Sequence, residues 1–258
     1  MTDAPLIDSH AHVWDSSCHM VPGARYHPKY EATIDNYLRV LDANGIECAV
    51  LVQPSFLGVD NSYLLACLGA HPDRLRGIVV LDPRIGDAEL ADMNAAGVIG
   101  HRYNMVGRDA GILRTGSYRD LTARVTGMNG WTEIQARGGD WPDIARLMKD
   151  LRALVMVDHF GLPSALQCPG ITALAGMDPA RISLKMSAPY RQSMQDYAHA
   201  VRRLVEQDPC PALLWGSDWP WTQHEAQHSY RDCMNWLQNW ATQEDRRNIS
   251  SADKALGF

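Results

Sequence analysis

Five residues near the start of the chain, Asp8-Ser9-His10-Ala11-His12, have types and spacing suited to chemistry. Two histidines at i, i+2 on a strand face the same side. They can aim two ring nitrogens at one metal ion or one substrate atom. Far downstream, Asp158-His159 and Ser217-Asp218 close short apolar runs. A carboxylate beside imidazoles serves general acid–base catalysis or metal ligation. Arg102, Arg108 and Arg191 add a second theme. A guanidinium fork grips carboxylates in a bidentate way, so three such groups at one mouth suit an anionic ligand. Each residue alone has a plainer reading. A lone histidine is commonly a hydrogen-bonded structural residue, Asp218 could cap a helix, and an arginine could form a surface ion pair. The combination favours a site.

The elements that would position these residues alternate. Eight strand-like runs are Leu6–His10, Cys48–Pro54, Arg76–Leu81, Val98–Asn104, Trp131–Gln135, Leu154–His159, Ile182–Ser187 and Ala212–Asp218. Several are near-continuous Val, Ile and Leu, the pattern of strands buried on both faces. Helical patterns lie between them: Thr33–Asn44, Asn61–His71, Asp87–Ala96, Tyr118–Met128, Asp143–Leu151, Met194–Gln207 and Glu225–Trp240, with a weaker one over Pro163–Met177. The alternation predicts an α/β fold, a (β/α)8 TIM barrel spanning residues 1–258 as a single domain. Active sites of such barrels lie at the C-terminal ends of the strands. The polar residues gather there: Gln53 and Ser55, His101 and Asn104, Glu133 and Gln135, Lys185 and Ser187, and Tyr190 in the loop beyond. Charge at the end of an apolar strand is costly unless paired or used.

Composition narrows the classes. The chain has 258 residues, a net charge of −6 and 46% hydrophobic residues. That mild acidity and the lack of a basic run argue against a nucleic-acid partner. No apolar stretch approaches the roughly 20 residues of a membrane span, and no secretory leader pattern opens the chain. Six cysteines without a Cys-x-x-Cys pair read as reduced thiols, hence a cytoplasmic protein. No Gly-x-Gly-x-x-Gly or Gly-Lys-Ser/Thr loop supports a nucleotide fold. The expected partner is a small anionic lactone or carboxylate, with homo-oligomerisation left open.

The chain resembles the amidohydrolase superfamily in Ile7-Asp8-Ser9-His10-Ala11-His12-Val13-Trp14. Within it the chain is similar to the branch of 2-pyrone-4,6-dicarboxylate lactonase. The motifs for this are Leu51-Val52-Gln53-Pro54-Ser55, Gly97-Val98-Ile99-Gly100-His101-Arg102-Tyr103-Asn104, Val157-Asp158-His159-Phe160-Gly161-Leu162-Pro163, Lys185-Met186-Ser187-Ala188-Pro189-Tyr190-Arg191 and Leu214-Trp215-Gly216-Ser217-Asp218-Trp219-Pro220. The resemblance implies a barrel that hydrolyses a small ring, with His10, His12, His159 and Asp218 as catalytic residues. In the superfamily these positions form the metal site, so the same four would ligate a mononuclear ion. The branch is expected to need no cofactor, or to hold one divalent metal ion, zinc or manganese. Arg102, Arg108 and Arg191 fall at positions that hold substrate carboxylates, with Ser55, Asn104, Gln135 and Tyr190 as further substrate-binding candidates. Two departures stand out. No lysine lies in the fourth or fifth strand run, so a binuclear site is not expected, and Gln135 stands where relatives often carry His or Tyr. The loop after the sixth run also looks shortened.

The resulting expectation is a hydrolase acting on ester bonds, with Asp218 as general base on the attacking water. Its ring would be 2-pyrone-4,6-dicarboxylate-like, a muconolactone or a sugar-acid lactone. A metal-dependent decarboxylase or a lactone isomerase on the same barrel remains an alternative, as does a catalytically silent carboxylate-binding homologue.

Overall fold

A computed structural model describes residues 7–165, 168–191, 211–250 and 256–258. The predicted helix at Met194–Gln207 and Cys210 lie outside the described residues. The eight strands are β1 (Ile7–Ala11), β2 (Cys48–Val52), β3 (Leu75–Val79), β4 (Val98–Asn104), β5 (Trp131–Gln135), β6 (Leu154–Val157), β7 (Ile182–Met186) and β8 (Ala212–Trp215). They form one sheet in the sequential order β1 to β8, the topology of a (β/α)8 TIM barrel. The described helices are α1 (Ile34–Asn44), α2 (Ser62–Ala70), α3 (Asp87–Ala95), α4 (Gly116–Gly127), α5 (Trp141–Asp150), α6 (Pro169–Ala175), α7 (Tyr230–Trp240) and α8 (Gln243–Ser250).

The chain divides into two compact units, Met1–Gly100 with Trp215–Phe258, and His101–Leu214. In the first, β1 pairs with β2 and β2 with β3, both parallel, in the register Ile7↔Cys48 and Ala49↔Leu75. Ala49, Val50, Leu51 and Val52 are buried without a break, as a strand covered on both faces requires. The β1–β2 register shifts between Asp8 and Ala11. Such an irregularity re-aims side chains, here just where the histidine pair sits. Thr33 caps α1 by accepting from the Asn36 amide, and Gly45 ends that helix in the left-handed region. A side chain at Gly77 would meet Leu64 and Leu68 at 2.8 Å, so its bareness lets α2 lie close on β3.

In the second unit, β5 pairs with β6 and β6 with β7, again parallel. Ile134, Val155, Met156, Val157 and Leu184 are buried there, with Trp141, Ile144 and Met148 on the inner side of α5.

Five strand ends fall short of the sequence expectation; β3 stops at Val79 rather than Leu81 and β7 at Met186 rather than Ser187. β6 stops at Val157 and β8 at Trp215, so Asp158-His159 and Ser217-Asp218 follow their strands rather than end them. β2 stops at Val52, before Gln53 and Pro54. Beyond β6 and β8 the backbone turns to positive φ, 49° at His159 and 58° at Asp218, values outside the strand region.

Candidate active site

Within the first unit, β1 delivers His10 from its interior and His12 from just beyond its end. The chain leaving β8 delivers Asp218. His10 Nε2 and His12 Nε2 each lie 3.6 Å from the same oxygen, Asp218 Oδ1, and all three residues are buried. The two imidazoles meet edge to face, 4.9 Å between ring centres. The i, i+2 spacing therefore does converge two nitrogens on one point. At its far side, His12 Nδ1 lies 2.7 Å from the Val52 carbonyl. A carbonyl only accepts, so Nδ1 donates, and in neutral His12 the lone pair is on Nε2, the atom facing Asp218.

Two features hold Asp218 in place. Its amide donates to the His10 carbonyl at 2.8 Å, and the next peptide continues the ladder, Trp219 carbonyl accepting from the His12 amide at 2.8 Å. Gly216 lies directly against β1. A Cβ there would be 2.8 Å from His10 Cβ and 3.1 Å from the His10 amide nitrogen. Glycine is thus required in Gly216-Ser217-Asp218 for the two segments to approach this closely. Asp218 is also held at a positive φ, a conformation that costs on the order of 1–3 kcal/mol and persists where surrounding contacts over-determine it.

His10, His12 and Asp218 present ligand atoms within 4.8 Å of one another and could hold a metal ion. Two imidazoles and one carboxylate form an established catalytic set for zinc, leaving a coordination position open. The Val52 carbonyl at His12 Nδ1 is the orienting partner that metal-bound histidines characteristically have.

Sequence reasoning quoted Asp8 but gave it no task. It is fully buried and accepts five hydrogen bonds: from the His10 and Ser217 amides at Oδ1, and from Tyr37, Tyr230 and Ser217 hydroxyls at Oδ2. Burial pushes its carboxyl above the usual range, while the Ser217, Tyr37 and His10 hydrogen bonds pull it back. Burial also pushes the Tyr37 and Tyr230 phenols well up, with the Asp8 charge adding to it, so both stay protonated donors. Nearby, Gln53 donates to the Asp60 carbonyl at 2.7 Å, and Ser55 is exposed.

The second unit holds another buried polar cluster. Arg102 reaches Asp158 Oδ2 from Nε (3.0 Å) and Nη2 (2.8 Å), Gln135 Oε1 from Nη2 (2.9 Å), and lies 3.1 Å from Glu133 Oε1. Lys185 pairs closely with Glu133 and lies 3.9 Å from Asp158. Burial, then the Asp158 charge, raises the Glu133 carboxyl to about 7 against the pull of Lys185 and Arg102. This is where Arg102 and Gln135 sit: bonded to each other, with Arg102 also on two carboxylates. The charge pattern was visible in the sequence as polar residues on apolar strands, but which group meets which was not.

His159 follows β6, with Nδ1 2.9 Å from Ser187 Oγ. Asp158, its neighbour in sequence, takes two hydrogen bonds from Arg102 at Oδ2. Asn104, at the end of β4, accepts from the Val106 amide, and Arg108 is exposed in the turn that follows. The Arg191 guanidinium lies over the Tyr190 ring at 5.3 Å. His101 is buried against Thr132, and burial lowers it to about 3, so it stays a neutral structural residue. Cys18, Cys48, Cys67, Cys168 and Cys233 are free thiols. Among the described residues no helix is long and apolar enough to cross a membrane.

Comparison with known proteins adds the following. Residues 7–251 match the family model described as Amidohydrolase. The chain is 26% identical to 2-pyrone-4,6-dicarboxylate hydrolase of Comamonas testosteroni, covering 84% of this chain and 77% of that protein. It is 29% identical to 4-sulfomuconolactone hydrolase of Rhizobium radiobacter, covering 83% and 75%. A citric acid-bound crystal structure from Acinetobacter baumannii, described as a 2-pyrone-4,6-dicarboxylic acid hydrolase, superposes with a TM-score of 0.87 at 29% identity, covering 98% of this chain and 99% of that one.

Proposed function

The chain belongs to the amidohydrolase family, and we propose that it hydrolyses a small lactone ring bearing a carboxylate or another anionic group. The observation that carries this reading is the convergence of His10 Nε2 and His12 Nε2 on Asp218 Oδ1 in a buried setting. The similarity to two lactone hydrolases of anionic rings supports the substrate class.

Asp218 takes a proton from water as the water oxygen bonds to the ring carbonyl carbon. His10 offers an N–H donor to the oxyanion that develops, the kind of preorganised stabilisation that dominates many such reactions. His12, its Nδ1–H held by the Val52 carbonyl, presents Nε2 as an acceptor for the attacking water. The ring C–O bond then breaks, and the departing oxygen takes the proton that Asp218 holds. Water is added across one ester bond, and the product is a hydroxy acid or its keto form. His159, oriented by Ser187, is a further polarising group.

The substrate's carboxylates are held by Arg102, Arg108 and Arg191, which orients the ring for attack. Ser55, Asn104, Gln135 and Tyr190 complete substrate recognition. Asp158 and Gln135 restrict Arg102, which lowers the ordering cost of using it as a clamp.

If a divalent ion such as zinc or manganese is bound, His10, His12 and Asp218 would hold it, with His159 as a fourth candidate ligand. It would supply Lewis-acid polarisation of the ring carbonyl.

The test is a panel of lactones with and without anionic substituents, assayed with and without chelator, with metal analysis of the same preparation. Ring opening confined to anionic lactones is expected. Release of carbon dioxide from an aromatic or muconate-type acid, with no ring opened, would replace this reading by a decarboxylase.

A further inference from the structure

We propose that Asp8 is the positioning residue that sets the distance and orientation between His10 and Asp218. The inference rests on the lactone-hydrolase reading for its effect on rate, and on geometry for everything else.

Asp8 Oδ1 accepts from two backbone amides at once, His10 at 3.2 Å and Ser217 at 2.8 Å. One belongs to the first catalytic histidine, the other to the residue before the catalytic aspartate. A single carboxylate oxygen therefore ties the two segments together. The opposite oxygen anchors that clasp, taking the Ser217 hydroxyl at 2.5 Å, Tyr37 at 2.8 Å from α1 and Tyr230 at 2.9 Å from the start of α7. Ser217 passes the restraint forward: its hydroxyl oxygen accepts from the Trp219 amide at 3.0 Å. The peptides on both sides of Asp218 are thus fixed. Trp219 is pinned a second time by stacking on Tyr37, 5.0 Å between ring centres.

The conformation of Asp218 supplies the reason for so many restraints. At φ 58° it sits in a left-handed state that is costly for an L-residue, though less so for Asp, and its neighbours hold it there. The bare Gly216 gives the close approach, and Asp8 gives the direction. Removing the carboxylate leaves Ser217 free to turn and lets Asp218 relax toward negative φ, carrying its oxygen away from the two imidazoles.

The experiment compares Asp8→Asn, Tyr37→Phe and Tyr230→Phe with the wild type. Two readouts are taken: 15N spectra of the His10 and His12 ring nitrogens in labelled protein, and kcat and KM on 2-pyrone-4,6-dicarboxylate corrected for the folded fraction. D8N is expected to alter both ring signatures and to lower kcat at least tenfold with KM within twofold, and the tyrosine variants to do the same to smaller degrees. Folded D8N with unchanged ring signatures and kcat within twofold of wild type would overturn the proposal. Should D8N fail to fold, unchanged ring signatures in both tyrosine variants would overturn it equally. If the wild type opens no lactone, the hydrolase reading falls, and the ring signatures alone decide the role of Asp8.

Discussion

Two buried carboxylate clusters solve the same electrostatic problem in opposite ways. In the first unit Asp8 is satisfied by five neutral donors, two amides and three hydroxyls. In the second, Glu133 and Asp158 are met by the cations of Arg102 and Lys185. Neutral donors are directional and tie down backbone, so the Asp8 cluster fixes geometry around Asp218. Ion pairs neutralise charge among β4, β5, β7 and the end of β6 but exact a large desolvation penalty. Buried charge thus serves placement in one unit and charge balance in the other, and substitutions should divide between loss of rate and loss of stability.

The largest effect expected is on rate. Asp218→Asn should lower kcat by about 10²–10⁴-fold, the usual contribution of a general base, with KM and melting temperature little changed. Steady-state kinetics on an anionic lactone checks this. A variant retaining near wild-type kcat would remove Asp218 from the proton transfer and blur the division between the clusters.

Lys185→Met should act the other way. It strands Glu133 and Asp158 with one cation fewer, and breaking a buried pair costs about 3–5 kcal/mol, read by urea unfolding. A loss below about 1 kcal/mol would mean that the second cluster does not balance charge as described.

The pH dependence of stability sharpens the same contrast. Glu133 binds its proton more tightly in the folded chain, at about 7, than the ordinary glutamate of the unfolded chain. This group therefore favours folding at low pH, and its contribution is lost as pH rises from the ordinary glutamate range to about 7. Glu133→Gln should flatten that slope. An unchanged slope between those pH values would count against the shift.

The smallest effect is expected outside both clusters. Arg191→Met should raise KM about 10- to 100-fold, the worth of a charge-assisted hydrogen bond, while kcat and stability hold. An unchanged KM for every anionic lactone would remove Arg191 from the clamp.

Much of this was legible in the sequence because it follows from local periodicity. The apolar runs at 98–104 and 131–135 became β4 and β5 without change of boundary. Thr33 and Gly45 bracket α1 as its capping chemistry requires. The histidine pair converges because alternation on a strand is a backbone property. Boundaries failed where the backbone turns into the left-handed region, at His159 and Asp218. His and Asp enter that region more readily than most residues, but type alone does not place it; the neighbours decide where it occurs.

By itself the sequence determined the alternation of strands and helices, the burial of those strands, and the residue types able to do chemistry, because each depends on neighbours a few positions away. Only the tertiary structure decided how those groups are used. It brought Asp8 to residues 209 and 222 positions away, set Ser187 beside His159, and bound Arg102 to Asp158 and Gln135. Hydrogen bonds and ion pairs reach only about 3–4 Å, so a partner is chosen by proximity in space, which no local pattern in the chain encodes.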